Sequence, residues 1–186
     1  CGCRKNRFGG GALRGRVLIL DPVAGGEALL VLEVGSRVWA LAIFADPATG
    51  APRLACGSPD GKVRVFDPVA GGEALVVLKM DDEVEALAAF KDPATGAPRL
   101  ACALEKKVLV FDPVVGGDAL LVLDIGSYVN ALAVFKEPAT GAPRLACALN
   151  LSDSDSGSEP SGEVRVFDAV SGGNALLVLD VGSYVN

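Results

Sequence analysis

The stretch Val63-Arg64-Val65-Phe66-Asp67-Pro68-Val69 decides the fold, because the chain repeats it. The other copies are Val108-Leu109-Val110-Phe111-Asp112-Pro113-Val114, Val164-Arg165-Val166-Phe167-Asp168-Ala169-Val170 and the looser Val17-Leu18-Ile19-Leu20-Asp21-Pro22-Val23. The shared Asp recurs after 46, 45 and 56 positions, and the last spacing contains a local insertion. A period near 45 residues is typical of one supersecondary unit stacked on copies of itself.

One unit, residues 36–80, reads as four short strands. The apolar segment 38–44 is followed by a turn rich in Pro and Gly, and strands are predicted at 53–57, 62–66 and 73–78. Pro and Gly recur too often for a helix of ten or more residues, which excludes helical repeat arrays. Four strands joined by short turns predict an antiparallel meander, the unit of a β-propeller blade.

The unit resembles the WD-repeat family of β-propellers. The matching features are Gly35-Ser36, Leu54-Ala55-Cys56-Gly57-Ser58, Asp60-Gly61 and Phe66-Asp67, the last pair standing where the family has Trp-Asp. The resemblance covers nearly everything from Gly15 to Asn186, and it implies an all-β fold of four-stranded blades. About three and a half blades are expected, forming an open arc or partial propeller whose end blades expose apolar faces.

The chain departs from the family in having no His. The Gly-His pair before the first strand is therefore absent, and the familiar buried Asp-His-Ser/Thr-Trp hydrogen-bond network cannot form. The blades are therefore expected to be less rigid than the family average. Each missing network is expected to remove about 1–3 kcal/mol of stabilisation. The once-per-unit Asp is predicted to cap backbone N–H groups in its turn. These structural turn residues are Asp21, Asp67, Asp112 and Asp168.

The repeats predict a domain organisation of blades in series. We expect an irregular basic, Gly-rich leader, the second half of blade 1, three complete blades and the start of a fifth. The corresponding ranges are 1–15, 16–35, 36–80, 81–125, 126–181 and 182–186. Both ends fall inside repeats, so the chain is predicted to be a fragment of a longer protein that supplies further blades.

The composition of the chain argues against several classes of binding partner. The net charge of −6 argues against nucleic acid, and no apolar run approaches the roughly 18 residues that cross a bilayer. Cys56, Cys102 and Cys147 recur in register and are expected to be buried, reduced thiols, which favours a cytoplasmic location. Without His, and with only Cys1 and Cys3 closely spaced, neither a metal nor a cofactor is predicted.

Differences between the copies concentrate in two loops that the resemblance places on one rim. The predicted partner-binding residues all come from the loop that opens the first strand. They are Arg37, Trp39, Glu83, Glu85, Tyr128 and Asn130. Exposed aromatic and Arg side chains are common interface anchors. The alternative is that Trp39 and Tyr128 pack between blades.

The second variable loop contains the insertion 151–162, which is acidic and Ser-rich and predicts disorder. Ser152 and Ser156 each have an acidic residue three positions later, a spacing favoured by acidophilic kinases, and they are possible phosphosites. A plain solvated loop is the alternative. The Asp153-x-Asp155 pair lacks the Gly and Glu that a calcium loop requires.

No catalytic constellation appears in the sequence. The chain has no His to act as a base, and a residue that recurs once per blade is not gathered at one site. The chain is therefore predicted to be a non-catalytic protein-protein interaction scaffold that presents loop tips to a protein partner, with no nucleic acid and no membrane. The alternative is a structural spacer or decayed repeat segment without a binding role of its own.

Overall fold

A computed structural model describes residues 15–151 and 161–182. The described residues contain strands and turns only. The strands are β1 Arg16–Ile19, β2 Leu30–Glu33, β3 Ala40–Ala45, β4 Pro52–Ser58, β5 Lys62–Phe66, β6 Val76–Lys79, β7 Ala86–Lys91, β8 Pro98–Ala103, β9 Lys107–Phe111, β10 Leu121–Asp124, β11 Tyr128–Lys136, β12 Pro143–Leu151, β13 Ser161–Asp168 and β14 Gly172–Asp180. None of the described segments is a helix able to span a membrane.

The strands form four antiparallel meanders, which we call blades. Blade 1 is the pair β1-β2, blade 2 is β3-β4-β5-β6, blade 3 is β7-β8-β9-β10 and blade 4 is β11-β12-β13-β14. The first strands of successive blades lie side by side, β3 against β7 and β7 against β11. The all-β prediction of an open, partial propeller with four-stranded blades is confirmed.

Apolar side chains fill the space between successive blades. One cluster joins blades 1 and 2, a second joins blades 2 and 3, and a third joins blades 3 and 4. Strand β4 contributes to both of its neighbours because alternate residues point to opposite faces: Leu54 and Cys56 pack on blade 1, and Ala55 packs on blade 3. Each complete inner blade is therefore buried on both faces.

The three recurrent thiols are buried and free, as the sequence predicted. Burial raises the pKa of Cys56 to about 11 and that of Cys147 to about 12, and it raises the pKa of Cys102 as well. The thiolate is the reactive form, so these side chains act as small apolar core residues.

The recurrent Asp residues build their turns as predicted. In each turn one carboxylate oxygen accepts hydrogen bonds from the backbone N–H groups two and three residues later; for Asp67 these are Val69 and Ala70, each at 2.8 Å. The same pair of bonds occurs at Asp21, Asp112 and Asp168. The chain then turns through a Gly at positive φ, such as Gly71 at 74°.

Several strand bounds differ from the sequence prediction. The first strand of blade 2 starts at Ala40 rather than at residue 38, and its fourth strand starts at Val76 rather than at residue 73. In blade 4 the insertion extends the hairpin, because Asn150 pairs with Gly162 and Leu151 with Ser161. The predicted loop 151–162 therefore begins and ends in strands, and most of it lies outside the described residues with Ser152 and Ser156. The leader up to residue 14 and residues 183–186 lie outside them too.

Candidate interaction surface

The meander places the two variable loops at the same edge of the arc, which we call the variable rim. It consists of the segments preceding β3 and β7, the first residues of β11 and the turns β4–β5 and β8–β9. Backbone bonds join the two kinds of loop across neighbouring blades: the Val84 N–H donates to the Ser58 carbonyl at 3.2 Å, and the Val129 N–H to the Glu105 carbonyl at 3.1 Å. The rim is thus one continuous surface over blades 2 to 4.

The predicted partner-binding residues all point outward from this rim. In each unit they flank a Val that points inward, and Val84 and Val129 are fully buried. Trp39 is 43% exposed and Tyr128 is 49% exposed, so neither is enclosed between described blades. The other four, Arg37, Glu83, Glu85 and Asn130, are exposed as well. Alternation along an extended backbone explains the pattern.

Tyr128 is held in place by the preceding blade. Its hydroxyl hydrogen-bonds to Glu105, which raises the pKa of Tyr128. The Lys106 ammonium lies 5.5 Å from the centre of the Tyr128 ring, within the range of a cation–π contact. The aromatic ring is consequently exposed but held in one orientation. Less conformational entropy is then lost when a partner packs on it.

An acidic segment lies between the two aromatic positions. Burial, followed by repulsion from Glu83 and Asp82, raises the pKa of Glu85. Lys107 neutralises Asp81 through an ion pair of 2.5 Å. The centre of the variable rim therefore keeps an excess of negative charge, with Arg37 on the blade 2 side.

The opposite edge, which we call the clamp rim, carries a feature that the sequence reading missed. In each of blades 2 to 4 one Arg bridges two carboxylates, one from the first turn of the blade and one recurrent turn Asp. In blade 3, Arg99 contacts Asp92 at 3.2 Å and Asp112 at 3.3 Å. The equivalent sets are Asp46-Arg53-Asp67 and Glu137-Arg144-Asp168.

Each Arg clamp ties the recurrent turn Asp to the first turn of its own blade. The second carboxylate oxygen of the turn Asp accepts a hydrogen bond from a guanidinium that is mostly buried. A sequence signal was available, because Pro-Arg-Leu-Ala-Cys recurs at 52–56, 98–102 and 143–147 with a carboxylate seven positions before each Arg. On the variable rim, Ser58 at the end of β4 is buried without a hydrogen-bond partner for its hydroxyl.

The clamps and capped turns predict acid sensitivity. Backbone N–H groups, and then the clamp Arg, hold the pKa of Asp46, Asp67 and Asp92 below the ordinary value. A lowered folded-state pKa stabilises the fold above the unfolded-state pKa of about 4, and that contribution disappears as pH falls through the lowered value. We expect the Tm to be nearly constant from about pH 7 to pH 5 and to fall below about pH 4.

Circular dichroism melts at several pH values test this expectation. With no His, few groups titrate between about pH 5 and pH 8. Asp92→Asn removes one carboxylate that accepts backbone N–H bonds and pairs with Arg99. It should make the decrease in Tm at acid pH smaller. A Tm that stays unchanged at about pH 3 would contradict the role given to these carboxylates.

Three grooves of the described chain open towards the clamp rim. A groove of about 430 Å³ between the first hairpins of blades 3 and 4 is lined by Phe90, Lys91, Pro93, Val134 and Phe135. Smaller grooves beside Arg53 and Arg99 lie on the same side. Across both rims, no cluster of three or more potential metal-binding side chains occurs in ranges 15–151 and 161–182.

Comparison with known proteins adds to this description at the level of the fold. No protein-family profile matches the chain, and no curated protein matches it. Among solved structures, BBS1N in complex with ARL6DN superposes with a TM-score of 0.65 at 18% identity, covering 91% of this chain and 48% of that one. The computationally designed Ika4 protein gives a TM-score of 0.52 at 24% identity, covering 79% of this chain and 74% of that one.

A second computationally designed protein, Ika8, is also similar. It gives a TM-score of 0.54 at 23% identity and covers 83% of this chain and 40% of that one. This chain thus spans about half the length of BBS1N and less than half of Ika8. The architecture described above and these likenesses together identify the chain as part of a β-propeller-like fold.

Proposed function

We propose that this chain is a non-catalytic interaction scaffold whose variable rim docks a protein partner. The observation that carries the proposal is the pair of exposed aromatic side chains, Trp39 and Tyr128, on one continuous rim. The few residues that carry most of the binding energy in protein interfaces are enriched in Trp, Tyr and Arg. The acidic residues between them favour a partner with a basic centre flanked by apolar contacts.

The structural neighbour BBS1N was crystallised with a protein partner, ARL6DN, which is consistent with a protein-docking role for propeller surfaces. The recurrent carboxylates of the clamp rim are occupied as turn caps and Arg ligands, so they support the fold rather than catalysis. Additional blades of a longer chain and a cytoplasmic location belong to the same proposal. The spacer role remains the alternative.

A triple variant separates the two roles. Arg37→Ala, Trp39→Ala and Tyr128→Ala in one chain should reduce capture of the partner at least about tenfold, because each removes an anchor of the interface. The Tm should shift little, since all three side chains are exposed. Capture is measured by quantitative mass spectrometry, with purified wild-type and variant chains as baits in one cell extract.

The control variant carries Val69→Ala and Val115→Ala, two exposed positions on the clamp rim. It should retain every protein that the wild type enriches. Equal capture by the wild type and the triple variant would support the spacer role. A large loss of Tm in the triple variant would show that these residues belong to the core instead.

A further inference from the structure

Each blade has two apolar faces, which we call the leading face and the trailing face. Every interface inside the described chain joins a leading face to a trailing face. The leading face of a blade packs on the trailing face of the blade that follows. On blade 2 the leading face includes Phe44 and Val65, which pack with Leu100 and Phe111 of blade 3. Its trailing face includes Phe66, which packs against blade 1.

The trailing face of blade 1 is uncovered in the described chain. Leu20 directly precedes its turn Asp, and the equivalent residues Phe66, Phe111 and Phe167 are all buried by the preceding blade. Leu20 itself is 54% exposed. The residue type is apolar in all four blades, so the difference in exposure reflects the lack of a blade before blade 1 among the described residues.

The leading face of blade 4 is uncovered in the same way. Leu179 is 47% exposed, although its equivalents Leu32, Leu78 and Leu123 are buried by the following blade. Phe135 is 45% exposed, whereas Phe44 and Phe90 are buried. The two ends of the described arc therefore expose one leading and one trailing face.

The glycine of the recurrent turn identifies how the two faces meet. A Cβ on Gly71 would lie 2.9 Å from Leu30 of the preceding blade. A Cβ on Gly172 would lie 2.9 Å from both Leu121 and Leu123, and Gly116 sits against Val76 and Leu78 in the same way. Each of these turns is thus seated on the last strand of the blade before it.

One recurrent turn and one last strand do not make this contact in the described chain. Gly25 occupies the same turn position at φ 64° and has nothing within 4 Å of its would-be Cβ. Leu177 and Leu179, at the positions of Leu121 and Leu123, are exposed. Within ranges 15–151 and 161–182, the chain therefore has an uncovered copy of each half of an interface that it forms three times internally.

We infer that the 186-residue chain, where no further blade of a longer protein covers its ends, docks head-to-tail on a second copy, with the Leu20–Gly25 turn of one copy on Leu177 and Leu179 of the other. In the described chain blade 1 consists of β1 and β2, so the contact on this side is made by its recurrent turn, residues Leu20 to Gly25. The interface joins the trailing face of blade 1 to the leading face of blade 4, and each copy has both faces. Assembly then closes into a ring or continues, according to the rotation between blades.

Sedimentation velocity of the purified 186-residue chain tests this inference. The wild type should show a concentration-dependent species larger than the monomer. Leu20→Lys and Leu179→Lys each place a charge in one half of the interface and should each sediment as a monomer. An equimolar mixture of the two variants should form a dimer, because each supplies the intact half that the other lacks.

Val178→Lys is the matched control, since Val178 points to the other face of β14 and its equivalents Val77 and Val122 are exposed even in covered blades. It should assemble like the wild type. Folding is checked by circular dichroism, and Val181→Lys tests the same face if Leu179→Lys is unfolded. A wild type that stays monomeric at about 100 µM, or variants that fail to dimerise on mixing, would overturn the inference.

Discussion

Phe90→Ala is expected to destabilise the chain by about 3–5 kcal/mol, the usual cost of removing a buried aromatic side chain and leaving a cavity. Phe90 lies in the cluster between blades 3 and 4, together with Val110 and Leu145. Phe135→Ala, at the equivalent position of blade 4, is expected to cost about 1 kcal/mol, because that side chain is already 45% exposed.

The two variants make a matched pair, because they delete the same atoms from the same place in successive blades. Urea unfolding monitored by circular dichroism gives both free energies of unfolding at one protein concentration. The fixed concentration matters because self-association would stabilise the folded state of either variant. Equal losses would mean that blade 4 is covered in solution as fully as blade 3.

Arg99→Gln is expected to cost about 2 kcal/mol. The Arg99 side chain is mostly buried and contacts Asp92, Asp112 and the Pro98 carbonyl. Removing its charge leaves two carboxylates facing each other without the cation between them, and a shielded carboxylate that loses its partner is costly. The loss should be smaller at acid pH, where Asp92, whose pKa is lowered in the folded wild type, takes up a proton.

Arg16→Gln is the control, since Arg16 forms an ion pair with Glu33 in which both side chains are well exposed. Exposed pairs of this kind contribute about 0.5 kcal/mol or less. Chemical denaturation of both variants at neutral and acid pH checks the difference. Indistinguishable losses would show that the clamps are ordinary surface ion pairs.

Most of the architecture could be predicted from the sequence because the signals are local. Turns rich in Asp, Pro and Gly divide the chain into strands, and the period near 45 residues groups those strands into blades. Strand ends were less predictable. The sequence prediction began β3 at residue 38, whereas the structure leaves the backbone at Val38 and Trp39 outside the strand.

The candidate site was predictable in part. Variation between copies located the rim, and the alternation around Val84 and Val129 places the flanking side chains in solvent. Repetition in the sequence marks each clamp Arg and the carboxylate seven positions before it. It does not mark the second partner, because Arg99 on β8 and Asp112 in the turn after β9 meet only when the blade forms.

Residues 120–124 and 176–180 have the same sequence, Leu-Leu-Val-Leu-Asp. This sequence by itself determined that each segment forms a fourth strand in the same register. Only the tertiary structure decided that Leu123 is core and Leu179 is surface. Strand formation depends on short-range backbone and turn chemistry that the sequence carries in full. Burial depends on the presence of a neighbouring blade, which is a property of the assembled arc.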